Sequence, residues 1–307
     1  MEIWDMPVME VLPRNYNDND EVRKRLEIFS DSLYKLANVG THIINEIMKK
    51  NLENQDISII MHLRNHIDII DGISDLIKIS SVDNAERLNR MLFESYLYLN
   101  YILEKDVERR GKSYYFYYLL EQLKWYNKLK DKTPENISLK EMLKRDKYLN
   151  NSRLPTISSI DNEIAIVELN IHNPIFNEVK YEYDTKPKKN RKQWYSLFGG
   201  PKNIKELADR LKLPATYEIN YRFGSSKVHS QDALRDISYD DERALIKQLR
   251  APASANITTL NCFNYTIDTY IQIIKYFKLD ENMIKQYHAS IKKYWVEDLL
   301  KMEIKKN

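Results

Sequence analysis

The chain has 307 residues, 43% hydrophobic, 30% charged and 11% aromatic, a composition that excludes disordered, collagen-like and disulfide-framework proteins. Its 48 basic and 45 acidic side chains leave a net charge of +3, so no whole-molecule field recruits nucleic acid or membrane and any basic site must be local. A single cysteine, Cys262, can form neither an internal disulfide nor a multi-cysteine metal site and points to a reducing compartment.

The first twenty residues carry acids where a secretion signal needs a basic region, and nowhere do about 18 apolar residues run uninterrupted. The expectation is a soluble, cytoplasmic protein with no membrane partner. Glycine (6) and proline (9) are scarce, which favours long helices. From Asp20, the apolar residues Val22, Leu26, Phe29, Leu33, Leu36, Ile43 and Ile47 recur mostly at three or four, the stripe of an amphipathic helix of about 28 residues. A second helix is expected over 56–80, a third over 84–106 with Asn84 as its N-cap, and a fourth over 113–130. These four are expected to form an antiparallel bundle.

Residues 131–160 change character, with Thr133-Pro134, a short helical window near 139–147 and the polar stretch Asn150-Asn151-Ser152-Arg153, which reads as a connection. Helices near 160–170 and 174–183 precede Lys186-Pro187-Lys188-Lys189-Asn190-Arg191-Lys192. That basic run is either a solvated loop or a nucleic-acid contact, with Lys188, Lys189, Arg191 and Lys192 as candidate RNA-binding residues. Further helices are expected at about 203–211, 215–230, 241–250, 256–278 and 281–303. No strand pattern persists beyond four or five residues, so the fold class is all-α, a multi-helix bundle. The expected domains are an N-terminal bundle over 1–130, connecting helices and a basic loop over 131–193, and C-terminal helices over 194–307, with one continuous domain as the alternative.

No Gly-rich phosphate loop, nucleophile elbow, HExxH or paired-cysteine motif is present. His62 and His66 lie four apart, a spacing at which two imidazoles can share a metal. No third ligand is evident, so ordinary packing is the preferred reading, and neither metal nor cofactor is expected. Arg90 and Glu94 stand at i and i+4 beside Met91, Leu92 and Phe93, as a surface ion pair or a partly buried one that needs further partners.

The most distinctive segment runs Tyr217-Glu218-Ile219-Asn220-Tyr221-Arg222-Phe223-Gly224-Ser225-Ser226-Lys227-Val228-His229-Ser230. At roughly 100° per residue of an α-helix, Arg222, Ser226 and His229 fall within an arc of about 60°. Gly224 in mid-helix costs about 1 kcal/mol against alanine, which makes sense where another backbone or a ligand comes close. The bland alternative pairs Arg222 with Glu218 one turn earlier and lets His229 cap the helix end.

The order of Arg90-Met91-Leu92-Phe93-Glu94, Trp194, the 217–230 segment and a helical tail after Arg250-Ala251-Pro252 resembles the bacterial family catalogued as domain of unknown function 5677, over roughly residues 55 to 280. The Arg222-x6-His229 spacing also resembles the Arg-x4-6-His signature of HEPN domains. These are all-α proteins, often metal-independent endoribonucleases of toxin–antitoxin, abortive-infection and CRISPR defence systems. That resemblance implies an HEPN-like fold, catalysis by Arg222 and His229 with Ser226 as an orienting group, and Arg90, Glu94 and Tyr221 in support. It also implies RNA as substrate, a homodimer in which two motif helices build one cleft, and an antitoxin or defence partner. HEPN sequences often place Asn, Asp or His directly after the arginine, where this chain has Phe223. A non-catalytic helical module that senses nucleotide or RNA is the alternative, and a metal enzyme built on His62 and His66 a third reading.

Overall fold

The computed structural model describes residues 20–222, 233–240, 243–282, 284, 285 and 287. The all-α expectation holds: the elements are α1 (Asp20–Ile47), α2 (Asn54–Lys78), α3 (Val82–Glu104), α4 (Val107–Leu129), α5 (Pro134–Arg145), α6 (Ile160–Ile171), α7 (Asn177–Thr185), α8 (Ile204–Arg210) and α9 (Ala255–Phe277). The helix expected at 281–303 lies almost entirely outside the described residues.

Two departures stand out. A helix is expected at 241–250, but Ile237–Asp240 (β1) and Arg243–Ile246 (β2) form an antiparallel hairpin in the register Ile237 to Ile246 and Asp240 to Arg243. Ala244, Leu245, Lys247 and Gln248 are good helix formers, and cross-strand pairing with 237–240 overrides that local preference. The Lys247 amide donates to the Asp236 carbonyl (2.7 Å), and its ammonium pairs with Asp83 of α3 (2.8 Å).

Secondly, the first four helices do not make one bundle. The chain forms two compact units. One takes the described residues up to Leu52, Ile60–Glu104 and those from Ala208 onward; the other takes Glu53–Ile59 and Lys105–Leu207. Their borders do not follow 130 and 193. In the first unit α9 packs against both α1 and α3, taking the place expected for α4. In the second, α4 is the hub against which α5, α6 and α7 pack. Asp106, with a left-handed φ of 49°, immediately precedes α4. The core of the second unit joins Phe116 and Leu119 of α4 to Val167, Ile171, Phe176, Val179 and Leu197. Its amphipathic stripe therefore faces partners that come later in the chain.

The α1 stripe behaves as its spacing requires. Leu26, Phe29, Leu33, Leu36, Ile43 and Ile47 are all buried, and Ser30 and Ser74 join α1 to α2 through a buried hydroxyl pair at 3.2 Å. Gly40 sits where nothing larger fits. A Cβ there would lie 2.2 Å from the Tyr270 hydroxyl and 2.6 Å from Cγ1 of Ile67, and that hydroxyl donates to the Leu36 carbonyl (3.1 Å). Helix propensity alone favours alanine by about 1 kcal/mol, whereas overpacking of a filled core typically costs about 1–3 kcal/mol. Gly40→Ala should therefore lower the midpoint of thermal unfolding measured by circular dichroism. An unchanged or raised midpoint would mean that α1 and α9 are not packed at this distance.

Candidate functional site

Within the first unit, three residues distant in sequence meet. Arg90 and Glu94 project from one face of α3, 3.6 Å apart, with side chains 15% and 29% exposed. Between them reaches Tyr221, whose hydroxyl accepts from the Arg90 guanidinium (2.8 Å) and donates to Oε1 of Glu94 (2.8 Å). The guanidinium carbon stands 4.2 Å from the Tyr221 ring centroid, a cation–π contact. Tyr217 stacks on the same ring at 5.2 Å. Burial pushes the Tyr221 phenol up, and the hydrogen bond and charge of Glu94 push it further; the charge of Arg90 opposes them. It stays protonated at neutral pH, as its donor role to Glu94 requires. Nε of Arg90 is buried with no hydrogen-bond partner among the described residues.

Over its described part, residues 215–222, the segment that carries Tyr221 departs from the α-helix expected there. One α-helical turn, Pro214–Thr216, opens into a π-helical stretch, Tyr217–Arg222. Over 217–222 its i to i+5 winding is wider than an α-helix, and such single wide turns are frequent at functional sites. Proline at the first position of the opening turn supplies a fixed φ where no amide donor is needed. Asn220 donates to the Tyr265 hydroxyl (2.6 Å). Tyr265 stacks on Tyr96 (5.2 Å), and Tyr96 donates to Asp268 (2.8 Å). Burial pushes the Tyr265 phenol up to about 12. Tyr221 and Asn220 thus fasten this wide turn to α3 and α9.

Arg222 follows directly. Its side chain is 70% exposed and pairs with Glu218 at 3.0 Å, the partner that the sequence offers one turn earlier. Ser226, His229 and Gly224 lie outside the described residues. The structure thus brings together Arg90, Glu94 and Tyr221 and places Arg222 beside them. Asn220, Tyr265, Tyr96 and Asp268 were missed from sequence. The signal available was the spacing of Tyr265 and Asp268 at i and i+3 on α9, which marks one helix face but does not say what that face meets.

The histidine pair is buried. His66 lies between the Ser95 hydroxyl at Nδ1 and the Thr266 hydroxyl at Nε2, each at 3.2 Å, and the His62 ring stands 6.0 Å from that of Tyr98. Among the described residues no group of three or more His, Cys, Asp or Glu side chains could hold a metal ion. Hydrogen bonding holds His66, and His62 is packed beside Tyr98. Cys262 is buried, and burial pushes its thiol up, so it is a poor nucleophile.

The basic run belongs to the second unit, and its cations differ. Lys188, Lys189 and Lys192 are exposed. Arg191 is structural: its guanidinium carbon lies 4.2 Å from the Tyr183 ring centroid, it donates to the Tyr183 carbonyl, and its own carbonyl accepts from the Tyr117 hydroxyl (2.7 Å). Lys186 is likewise held, by Glu182 (3.0 Å) and the Ser196 carbonyl (2.7 Å). Arg191→Ser should lower the unfolding midpoint, whereas serine at 188, 189 and 192 together should leave it unchanged. Equal melting curves for the two variants would return Arg191 to the solvated loop.

Residues 55–245 match the family described as Family of unknown function (DUF5677). The chain belongs to this family. The matched stretch in this DUF5677 protein includes α3 with Arg90 and Glu94, Trp194, and the π-helical turn with Tyr221 and Arg222. No curated protein and no solved structure matches it. No helix among its described residues is long and apolar enough to cross a membrane.

Proposed function

We propose that this DUF5677 protein is a metal-independent endoribonuclease, acting as a toxin or effector in bacterial antiphage or stress defence. The observation that carries the reading is the placement of Arg222. Its exposed guanidinium leaves a wide helical turn whose preceding residue is fastened by two hydrogen bonds and a cation–π contact. A cation that must grip a phosphate needs access to solvent and a base that does not move.

In this reaction the RNA 2′-hydroxyl attacks the adjacent phosphorus, and His229 takes the hydroxyl proton as the new O–P bond forms. The bond to the 5′-oxygen breaks, and that oxygen leaves as a hydroxyl after receiving a proton from an imidazolium. Arg222 balances the charge on the crowded phosphate, and Ser226 orients the phosphate or the imidazole. Two subunits would supply the two imidazoles in a homodimer. Lys188, Lys189 and Lys192 would guide the strand. Replacing these three lysines with serine should then flatten the dependence of RNA binding on salt, by about 0.7 in slope for each phosphate no longer neutralised. An unchanged slope would remove the loop from the binding surface.

The Arg222–Glu218 pair favours the competing reading, a non-catalytic interaction module. There the arginine needs no phosphate, and an exposed ion pair at i and i+4 is ordinary helix surface. Cleavage of RNA by the purified chain, compared with Arg222→Ala and His229→Ala, decides between them.

A further inference from the structure

The second unit contains a cleft of about 560 Å³ between the end of α4, α5 and the irregular segment that returns to α6. That size falls within the roughly 300–1,000 Å³ of small-molecule sites. The returning segment, residues 146–159, has turns but no regular helix or strand. Connections of this length inside a compact unit are uncommon and are often functional.

Its lining has two chemistries. Leu129, Leu143, Ile157 and Ile160 contribute apolar surface, while Lys130, Lys140, Lys144 and Arg153 outnumber the two acids, Asp131 and Asp161. The lysines stand in exposed pairs: Lys130 with Asp161 (2.7 Å), Lys140 with Asp131 (2.8 Å) and Lys144 with Glu141 (2.7 Å). Such exposed pairs are weak, so an arriving anion can compete for these cations at little cost. Arg153 is exposed, and among the described residues no acid pairs with it.

A third observation narrows the ligand. Asn136 lines the cleft and is 1% exposed. Its amide nitrogen donates to the Lys128 carbonyl (2.8 Å), which fixes the side chain, yet Oδ1 has no hydrogen-bond partner among the described residues. A buried acceptor left unmet carries an uncompensated desolvation cost, so a ligand that donates an N–H to it is favoured over one that does not.

We propose that this cleft binds a nucleoside phosphate, with the base against the leucine and isoleucine walls, a base N–H toward Asn136, and the phosphate on Lys140, Lys144 and Arg153. Inorganic phosphate would leave the walls and Asn136 unused, and a fatty acid has no donor for Asn136. The site is independent of the nuclease reading, because none of its residues belongs to the Arg222 region.

The test is titration calorimetry of the full chain with AMP, GMP, CMP and UMP, with inorganic phosphate and octanoate as controls. At least one nucleotide should bind at least tenfold more tightly than either control. Arg153→Glu and Lys144→Glu, both on exposed side chains and checked for an unchanged melting curve, should each weaken that nucleotide at least tenfold, while Arg222→Ala should leave it unchanged. The proposal is overturned if no nucleotide binds at millimolar concentration, if phosphate or octanoate binds as well, or if both charge reversals leave binding intact. Loss in Arg222→Ala with retention in the cleft variants would move the nucleotide to the proposed nuclease site and also overturn it.

Discussion

Arg222→Ala and His229→Ala should each abolish RNA cleavage while the helical circular-dichroism signal and its melting curve are kept. Proton transfer by a positioned side chain is typically worth about 10²- to 10⁴-fold, so removal of His229 should be plain in a single-turnover assay. Removal of Arg222 should cost little stability, because its pair with Glu218 is exposed and exposed i, i+4 pairs are weak. Wild-type cleavage should survive EDTA and leave 2′,3′-cyclic phosphate ends, since the proposed nucleophile is the 2′-hydroxyl. DNA of the same sequence, lacking that hydroxyl, should remain intact. Cleavage that depends on a divalent metal, or that persists in both variants, would sink this mechanism even if the protein proved to be a nuclease. Activity per folded molecule that stays constant while the melting temperature falls would assign both residues to the fold.

Acid should unfold the protein steeply between pH 6.5 and 4. Burial lowers His62 to about 4 and His66 to about 3 from an ordinary 6.5, and His62 adds a smaller charge effect on His66. Both folded values lie below the unfolded one, so between them the unfolded chain binds protons that the native chain refuses. Stability therefore rises with pH through this window: the contribution of the neutral pair is complete above about pH 6.5 and is lost as the pH falls toward 4 and 3. Each histidine approaches a slope of about 1.4 kcal/mol per pH unit, so the pair reaches about 2–3 kcal/mol per unit, large beside a typical stability of about 5–15 kcal/mol. Urea unfolding at several pH values reads this slope directly. His66→Gln keeps a polar group for Ser95 and Thr266 and removes one titration, so its slope should fall by about half. A flat profile between pH 6.5 and 4, or the same slope in His66→Gln, would contradict burial of the neutral pair.

Much of the helical architecture was legible because its causes are local. The stripe from Leu26 to Ile47 repeats at three and four, and that spacing alone places the buried face of α1. The same logic put Arg90 and Glu94 on one face of α3 beside apolar neighbours, and left open whether the pair is at the surface or partly buried with further partners. Burial of the histidine pair was likewise the preferred reading of its neighbours. What local spacing cannot carry is identity across distance. Nothing within reach of Arg90 along the chain shows that the third partner is Tyr221, and nothing near Arg191 shows that its guanidinium lies on Tyr183 and not in solvent.

The sequence by itself determined most of the helical stretches and their apolar faces, since periodicity and propensity act over three or four residues. The tertiary structure decided which faces meet. It set α9 against α1 and α3 where α4 was expected, because the stripe of α4 is filled by Val167, Ile171, Phe176, Val179 and Leu197. It turned 243–246 into a strand, because pairing with 237–240 outweighs propensities that differ by less than about 1 kcal/mol per residue. It opened the helix at Tyr217–Arg222 into a π turn, where Tyr221 binds Arg90 and Glu94 and Asn220 binds Tyr265. Those contacts join residues 45 to 131 positions apart, and their free energy exists only once the chain has folded.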